Sequence, residues 1–154
     1  MLAVVPTSLF AKNFRLEQAD TLIGELDTSL WREHATLELE EGTYELFRER
    51  NWTGDFLLER NGNIVMRAVK PSMFRSRFEV DVADRHLELR PISIFTRRFG
   101  VFENGNQLGS IYPAALFSRR VNIDLPADWP ASTRAFLYWL TYLMWRRQNG
   151  AASA

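Results

Sequence analysis

The amino-acid sequence predicts a mostly β protein, a closed barrel of about 12 strands around one hydrophobic C-terminal helix. Three observations predict it. Shifting the chain by 43 positions lays it over itself, so that Ser29-Leu30-Trp31-Arg32 falls on Ser72-Met73-Phe74-Arg75 and a second shift reaches Ala115-Leu116-Phe117-Ser118. Within each unit apolar and polar residues alternate with the period of a half-buried strand, between turn formers. Finally, Ala135 to Trp145 is apolar on every helical face, with Thr141 its only clearly polar side chain.

Met1 to Pro6 has no basic leader and only a short apolar run, so it reads as a strand and not as a signal peptide. Thr36 to Glu40 and Thr43 to Leu46 form a hairpin about Glu41-Gly42, and Phe78 to Val82 with Arg85 to Leu89 form its equivalent about Ala83-Asp84. Asn61-Gly62 and Asn104-Gly105 superpose under the 43-residue shift, and both are type I′ hairpin signals because Asn and Gly tolerate positive φ. The same shift lays Phe56 on Phe99 and Tyr44 on Leu87, which gives four strands per unit. Two full units, a partial one before them and a truncated third one account for the strand number. After Leu125 the third unit abandons the pattern: Asp128 or Ser132 is expected to cap a helix with Pro130 in its first turn, Arg146-Arg147 to close it and Asn149-Gly150 to stop it. Residues 1–150 are expected to form one domain and 151–154 a flexible tail. The core is expected to include Trp31, Phe74, Phe117, Phe136, Trp139, Leu140 and Leu143, whereas Trp52 and Trp129, beside turn residues, read as exposed.

The chain has no cysteine, which excludes disulfides and thiolate chemistry and fits a reducing, cytoplasmic setting. The apolar segment of eleven residues is about half of what a membrane span needs. Net charge is zero but uneven: Glu17 to Glu59 holds 12 acids against 3 bases, and Arg60 to Arg120 holds 11 bases against 5 acids. Without a domain-wide basic field, nucleic acid is not an expected partner. Seventeen of the 19 bases are arginine, the residue suited to bidentate pairing with carboxylate or phosphate.

The glycine-aliphatic strand starts Leu22-Ile23-Gly24-Glu25-Leu26 and Gln107-Leu108-Gly109-Ser110-Ile111, the strand Phe99-Gly100-Val101-Phe102, and a final aspartate-leucine strand running into an apolar helix resemble the tubby-like superfamily over roughly residues 14–147. That superfamily includes tubby C-terminal domains, phospholipid scramblases and LURP-one-related proteins. The resemblance implies a 12-stranded barrel around a central helix and, through the tubby domains, affinity for phosphoinositides. Where scramblases carry an acidic calcium segment, this chain has Phe117-Ser118-Arg119-Arg120-Val121-Asn122-Ile123-Asp124, whose arginines argue against calcium.

Catalytic motifs are missing: His34 and His86 do not superpose in the repeat, no zinc-ligand spacing occurs, and no phosphate-cradling loop is present. His86 with Asp84 and Glu88 lies on one strand face, which reads as solvated. No enzyme activity, cofactor or metal is therefore expected. The candidate ligand-binding residues are Arg75, Arg77, Arg97, Arg98, Arg119 and Arg120, which would grip an anionic lipid headgroup or an acidic protein partner if they converge at one barrel end, with the protein cytoplasmic or peripheral to a membrane. The competing expectation is that they pair internally with Glu38, Glu40, Glu41 or Glu45. A different function, an open eight-strand carrier of a small apolar ligand with the helix packed outside, requires an empty lumen.

Overall fold

The computed structural model describes residues 1–7, 12–29, 32–50, 54–71, 76–93 and 95–153, with side chains described as far as residue 149. Twelve strands are followed by one helix: β1 (Leu2–Pro6), β2 (Asn13–Gln18), β3 (Thr21–Thr28), β4 (His34–Leu39), β5 (Gly42–Arg48), β6 (Phe56–Arg60), β7 (Asn63–Val69), β8 (Phe78–Val82), β9 (Arg85–Ser93), β10 (Arg98–Glu103), β11 (Asn106–Pro113), β12 (Val121–Asp124) and α1 (Ala131–Ser153). Each strand pairs antiparallel with its sequence neighbours, and β1 pairs with β12 to close the ring. Closure leaves no unpaired edge.

The third unit, which stops after the single strand β12, is completed in the ring by the three strands of the partial unit at the chain's beginning, β1 to β3. β1 lies between β12 and β2, with Leu2 opposite both Ile123 and Gln18. A further regularity runs around the ring. The β2–β3, β6–β7 and β10–β11 ladders each shift register, at Leu16/Glu17, Leu58/Glu59 and Val101/Phe102. A bulge of this kind bends and twists its strand, and these three are spaced four strands apart. Asn61-Gly62 and Asn104-Gly105 adopt the positive φ that type I′ turns require, at 52° and 79° and at 50° and 80°.

Inward-facing residues from every strand join the helix in one core. The helix is ringed on three sides by aromatic contacts: Phe14 of β2 meets Tyr138 at 6.1 Å, Phe56 of β6 meets Trp139 at 5.9 Å, and Phe99 of β10 meets Trp145 at 6.3 Å. These strands stand a third of the ring apart, so α1 runs along the barrel axis. Phe136, Trp139, Leu140 and Leu143 are buried as expected. The lumen is filled, which removes the empty interior that an apolar-ligand carrier needs.

Several local expectations are corrected. Trp129 is buried, because residues 125–130 cross the barrel mouth to feed the chain into the axis, and Arg85 lies over its ring at 4.7 Å. Phe117 is 91% exposed: the axial helix already fills the interior, and the β11–β12 loop carries Phe117 away from it. Trp31, Phe74 and Trp52 lie outside the described residues. The Pro130 carbonyl accepts the Arg134 N–H, so Pro130 occupies the cap position and Ser132 lies within the first turn. The helix also continues past Asn149-Gly150 to Ser153, so residues 151–153 extend it where a tail was expected.

At Gly109 a Cβ would approach the Asp124 carbonyl oxygen to 2.0 Å, which explains the glycine in that strand start. Trp139→Ala is expected to cost about 3–5 kcal/mol by leaving an axial cavity, read as a lower urea midpoint, while Trp139 as the sole tryptophan should resist acrylamide quenching. A freely quenched Trp139 would place the helix outside the ring.

Candidate functional site

An up-and-down ring puts alternate connections at opposite ends. At the end where α1 begins, five two-residue turns and the 125–130 crossing carry Asp20, Glu40, Glu41, Asp84 and Asp128 and no lysine or arginine. At the other end six longer loops, 7–12, 29–33, 49–55, 70–77, 94–97 and 114–120, each carry at least one base: Lys12, Arg32, Arg50, Lys70 and Arg77, Arg97, and Arg119 with Arg120. The helix delivers Arg146 and Arg147 to the same rim, where Arg146 Nη1 donates to the Ser29 carbonyl and Arg147 pairs with Glu33. The unevenness of charge along the chain thus reappears along the barrel axis, the longer-loop end being predominantly basic although it also carries Glu33, Glu49 and Asp55.

Of the sequence-predicted residues, Arg77, Arg97, Arg98, Arg119 and Arg120 all come to this rim, and Arg75 lies outside the described residues. They do not form one pocket. Arg77 is half-buried 3.8 Å from Glu79, with its Nε buried and unbonded. Arg97 lies over the Trp145 ring at 4.7 Å while its carbonyl accepts the indole N–H. Arg98 lies over Tyr112 at 3.8 Å and donates to Ser110 Oγ. Arg119 and Arg120 are exposed on the β11–β12 loop. Arg77, Arg97 and Arg98 meet partners other than the carboxylates of Glu38, Glu40, Glu41 and Glu45, while Arg67 of the basic middle does pair with the first third, through Glu49 and Asp55. Glu38, Glu40 and Glu41 belong to the opposite end, and Glu45 faces His34 at 2.7 Å.

Among the described residues the rim has an open cleft of about 710 Å³ beside the emerging helix, lined by Arg32, Glu33, His34, Arg48, Arg50, Arg146 and Arg147 around Phe47 and Leu143. That volume suits a small ligand. Its chemistry is dominated by guanidinium groups. Glu33 is shared between Arg48, at 3.3 Å, and Arg147. Arg48 and Arg147 also approach the Phe56 ring, at 4.8 and 5.9 Å from its centroid. Arg32 and Arg50 are exposed and have no carboxylate partner among the described residues. The nearby Lys70 ammonium is held below the usual lysine range, first by burial and then by the charges of Arg147 and Arg48. One carboxylate therefore leaves the cleft strongly positive.

Sequence reasoning missed this cleft. One signal was available: Arg32 falls on Arg75 in the repeat, and only the second was counted as a candidate. Arg146 and Arg147 were read solely as helix closers, since their meeting with the 29–33 loop depends on α1 running up the axis.

The histidines are occupied structurally. His86 Nδ1 lies 2.7 Å from Asp81 Oδ1, its directly opposite residue on β8, and not against Asp84 or Glu88. Among the described residues no cluster of His, Asp and Glu could hold a metal ion. No family model, curated protein or solved structure matches the chain significantly.

The hydrogen bond to Asp81 holds the His86 pKa above its ordinary 6.5, aided by the charges of Asp81, Glu79 and Glu88. A raised folded value means that the pair's contribution is fully present below pH 6.5 and is lost as pH rises through the folded pKa. Asp81→Asn is expected to return the His86 titration, followed by NMR, toward its ordinary value; an unmoved titration would refute the pairing.

Proposed function

We propose that the chain is a non-enzymatic binding module of the tubby-like kind, and that its cleft grips an anionic group such as a phosphorylated headgroup. The carrying observation is the cleft's excess of guanidinium groups over the single carboxylate Glu33, with Arg32 and Arg50 exposed at its edge. Phosphate oxygens match the planar donor fork of arginine. The closed 12-strand ring around an axial helix supports the family likeness, and the lack of cysteine supports a cytoplasmic setting. A small anionic group fits a concave cleft better than a flat acidic protein surface does.

Glu33 acts in this reading as the internal counter-ion that an incoming anion displaces. His34 and Ser29 serve the framework, His34 against Glu45 and Ser29 Oγ accepting the Arg32 backbone N–H at 3.1 Å.

Inositol trisphosphate, as a soluble probe, is expected to bind in calorimetry, and Arg32→Ala with Arg50→Ala to weaken it about tenfold or more, each lost charged hydrogen bond being worth about 1.5–3 kcal/mol. Unchanged affinity in that double variant would sink the assignment. Glu33→Gln should tighten binding by removing the competing carboxylate.

A further inference from the structure

The basic rim also carries the most exposed large apolar side chains among the described residues: Phe117 at 91%, Phe95 at 89% and Leu116 at 81%. They occupy the tips of the β9–β10 and β11–β12 loops, which flank the β10–β11 pair on the side of the ring opposite the cleft. Each tip is followed by two arginines, Arg97-Arg98 and Arg119-Arg120.

These tips are built outward. The Ala114 N–H donates to the Arg120 carbonyl and the Ser118 N–H to the Ala115 carbonyl, which closes the β11–β12 loop into an ordered turn. Phe117 itself has a φ of 65°, a left-handed conformation that is strained for a bulky side chain. Such strain persists where the surroundings enforce it and collects at functional positions. In the β9–β10 loop Ser93 Oγ accepts the Thr96 N–H, and the Trp145 indole holds the Arg97 carbonyl, so Phe95 is tethered to the end of the axial helix.

We infer that these two loops insert into the interfacial zone of an anionic bilayer, Phe95, Leu116 and Phe117 entering the acyl boundary while the adjoining arginines meet lipid phosphates. Two observations favour a bilayer over a protein surface. The apolar tips are separate loop apices interleaved with arginine, whereas the core of a protein interface is contiguous and poor in charge. A fluid bilayer moulds around separate apices and accepts long cationic side chains at headgroup level. The charge separation along the barrel also orients the molecule, presenting the loop end to a negative surface and turning the acidic end away. Orientation here rests on the anion-binding reading of the rim; what the loops add is a membrane as the source of the anion.

The test uses phosphatidylcholine vesicles with and without phosphatidylserine. The triple variant Phe95→Ser, Leu116→Ser, Phe117→Asn removes only exposed side chains and should keep its thermal midpoint, yet float with the anionic vesicles about tenfold or more weaker, given the apolar area each tip would bury. Because the chain has no cysteine, Phe117→Cys offers a unique site for a solvatochromic dye, which should shift to the blue on anionic vesicles and not on neutral ones. Flotation unaffected by the triple variant, or vesicle binding without a dye shift, would overturn loop insertion. So would a dimer in vesicle-free solution that the same variant dissociates, since the tips would then cover a second copy. Soluble inositol trisphosphate separates the two readings. If it fails to bind the unaltered protein while the dye shift persists, the cleft assignment falls and insertion stands; if it binds and the triple variant floats normally, the reverse holds.

Discussion

The structure depends on one mutual requirement: a ring of twelve strands encloses more space than its own side chains fill, and a helix apolar on every face cannot stay in water. Each solves the other's problem. The helix, about 10–12 Å across with its side chains, occupies the axis, and Phe14, Phe56 and Phe99 meet it from three directions. Closure of the ring needs β1 between β12 and β2, so the first residues of the chain are as necessary to the barrel as the last.

The axial helix also gives the barrel its two unlike ends. Tight turns and the crossing with Trp129 seal the end where the helix begins, leaving acidic side chains in solvent. At the other end the loops are longer, and the helix emerges among them with Arg146 and Arg147. One wall of the cleft is set by Ser29 and Glu33, which meet these arginines through the Arg146–Ser29 and Arg147–Glu33 contacts. A functional surface is thus made from segments more than a hundred residues apart in sequence, held by a framework whose regular parts take no direct role.

Much of the fold was legible because its determinants are local or periodic. Alternation at period two, Asn61-Gly62 and Asn104-Gly105, and the all-round apolarity of Ala135 to Trp145 each constrain the backbone without help from distant residues. Phe117 and Trp129 were misread for a shared reason. Recurrence under the 43-residue shift suggested that Phe117 packs inside, but the third unit turns outward where the helix has already filled the core. Trp129 neighbours turn residues, and only the path of 125–130 across the barrel mouth buries it.

The sequence by itself determined the strand class, the hairpin turns, the presence of one fully apolar helix and the stock of arginines, since each follows from residue type and spacing. Tertiary structure alone decided that the acidic tight turns and the arginine-bearing longer loops fall at opposite ends, that Arg32, Arg48, Arg50 and Arg147 surround one cleft, and that Phe95 and Phe117 stand on the same rim. These are consequences of strand direction and ring closure, which set the end a loop occupies, and no local pattern encodes which distant segments share it.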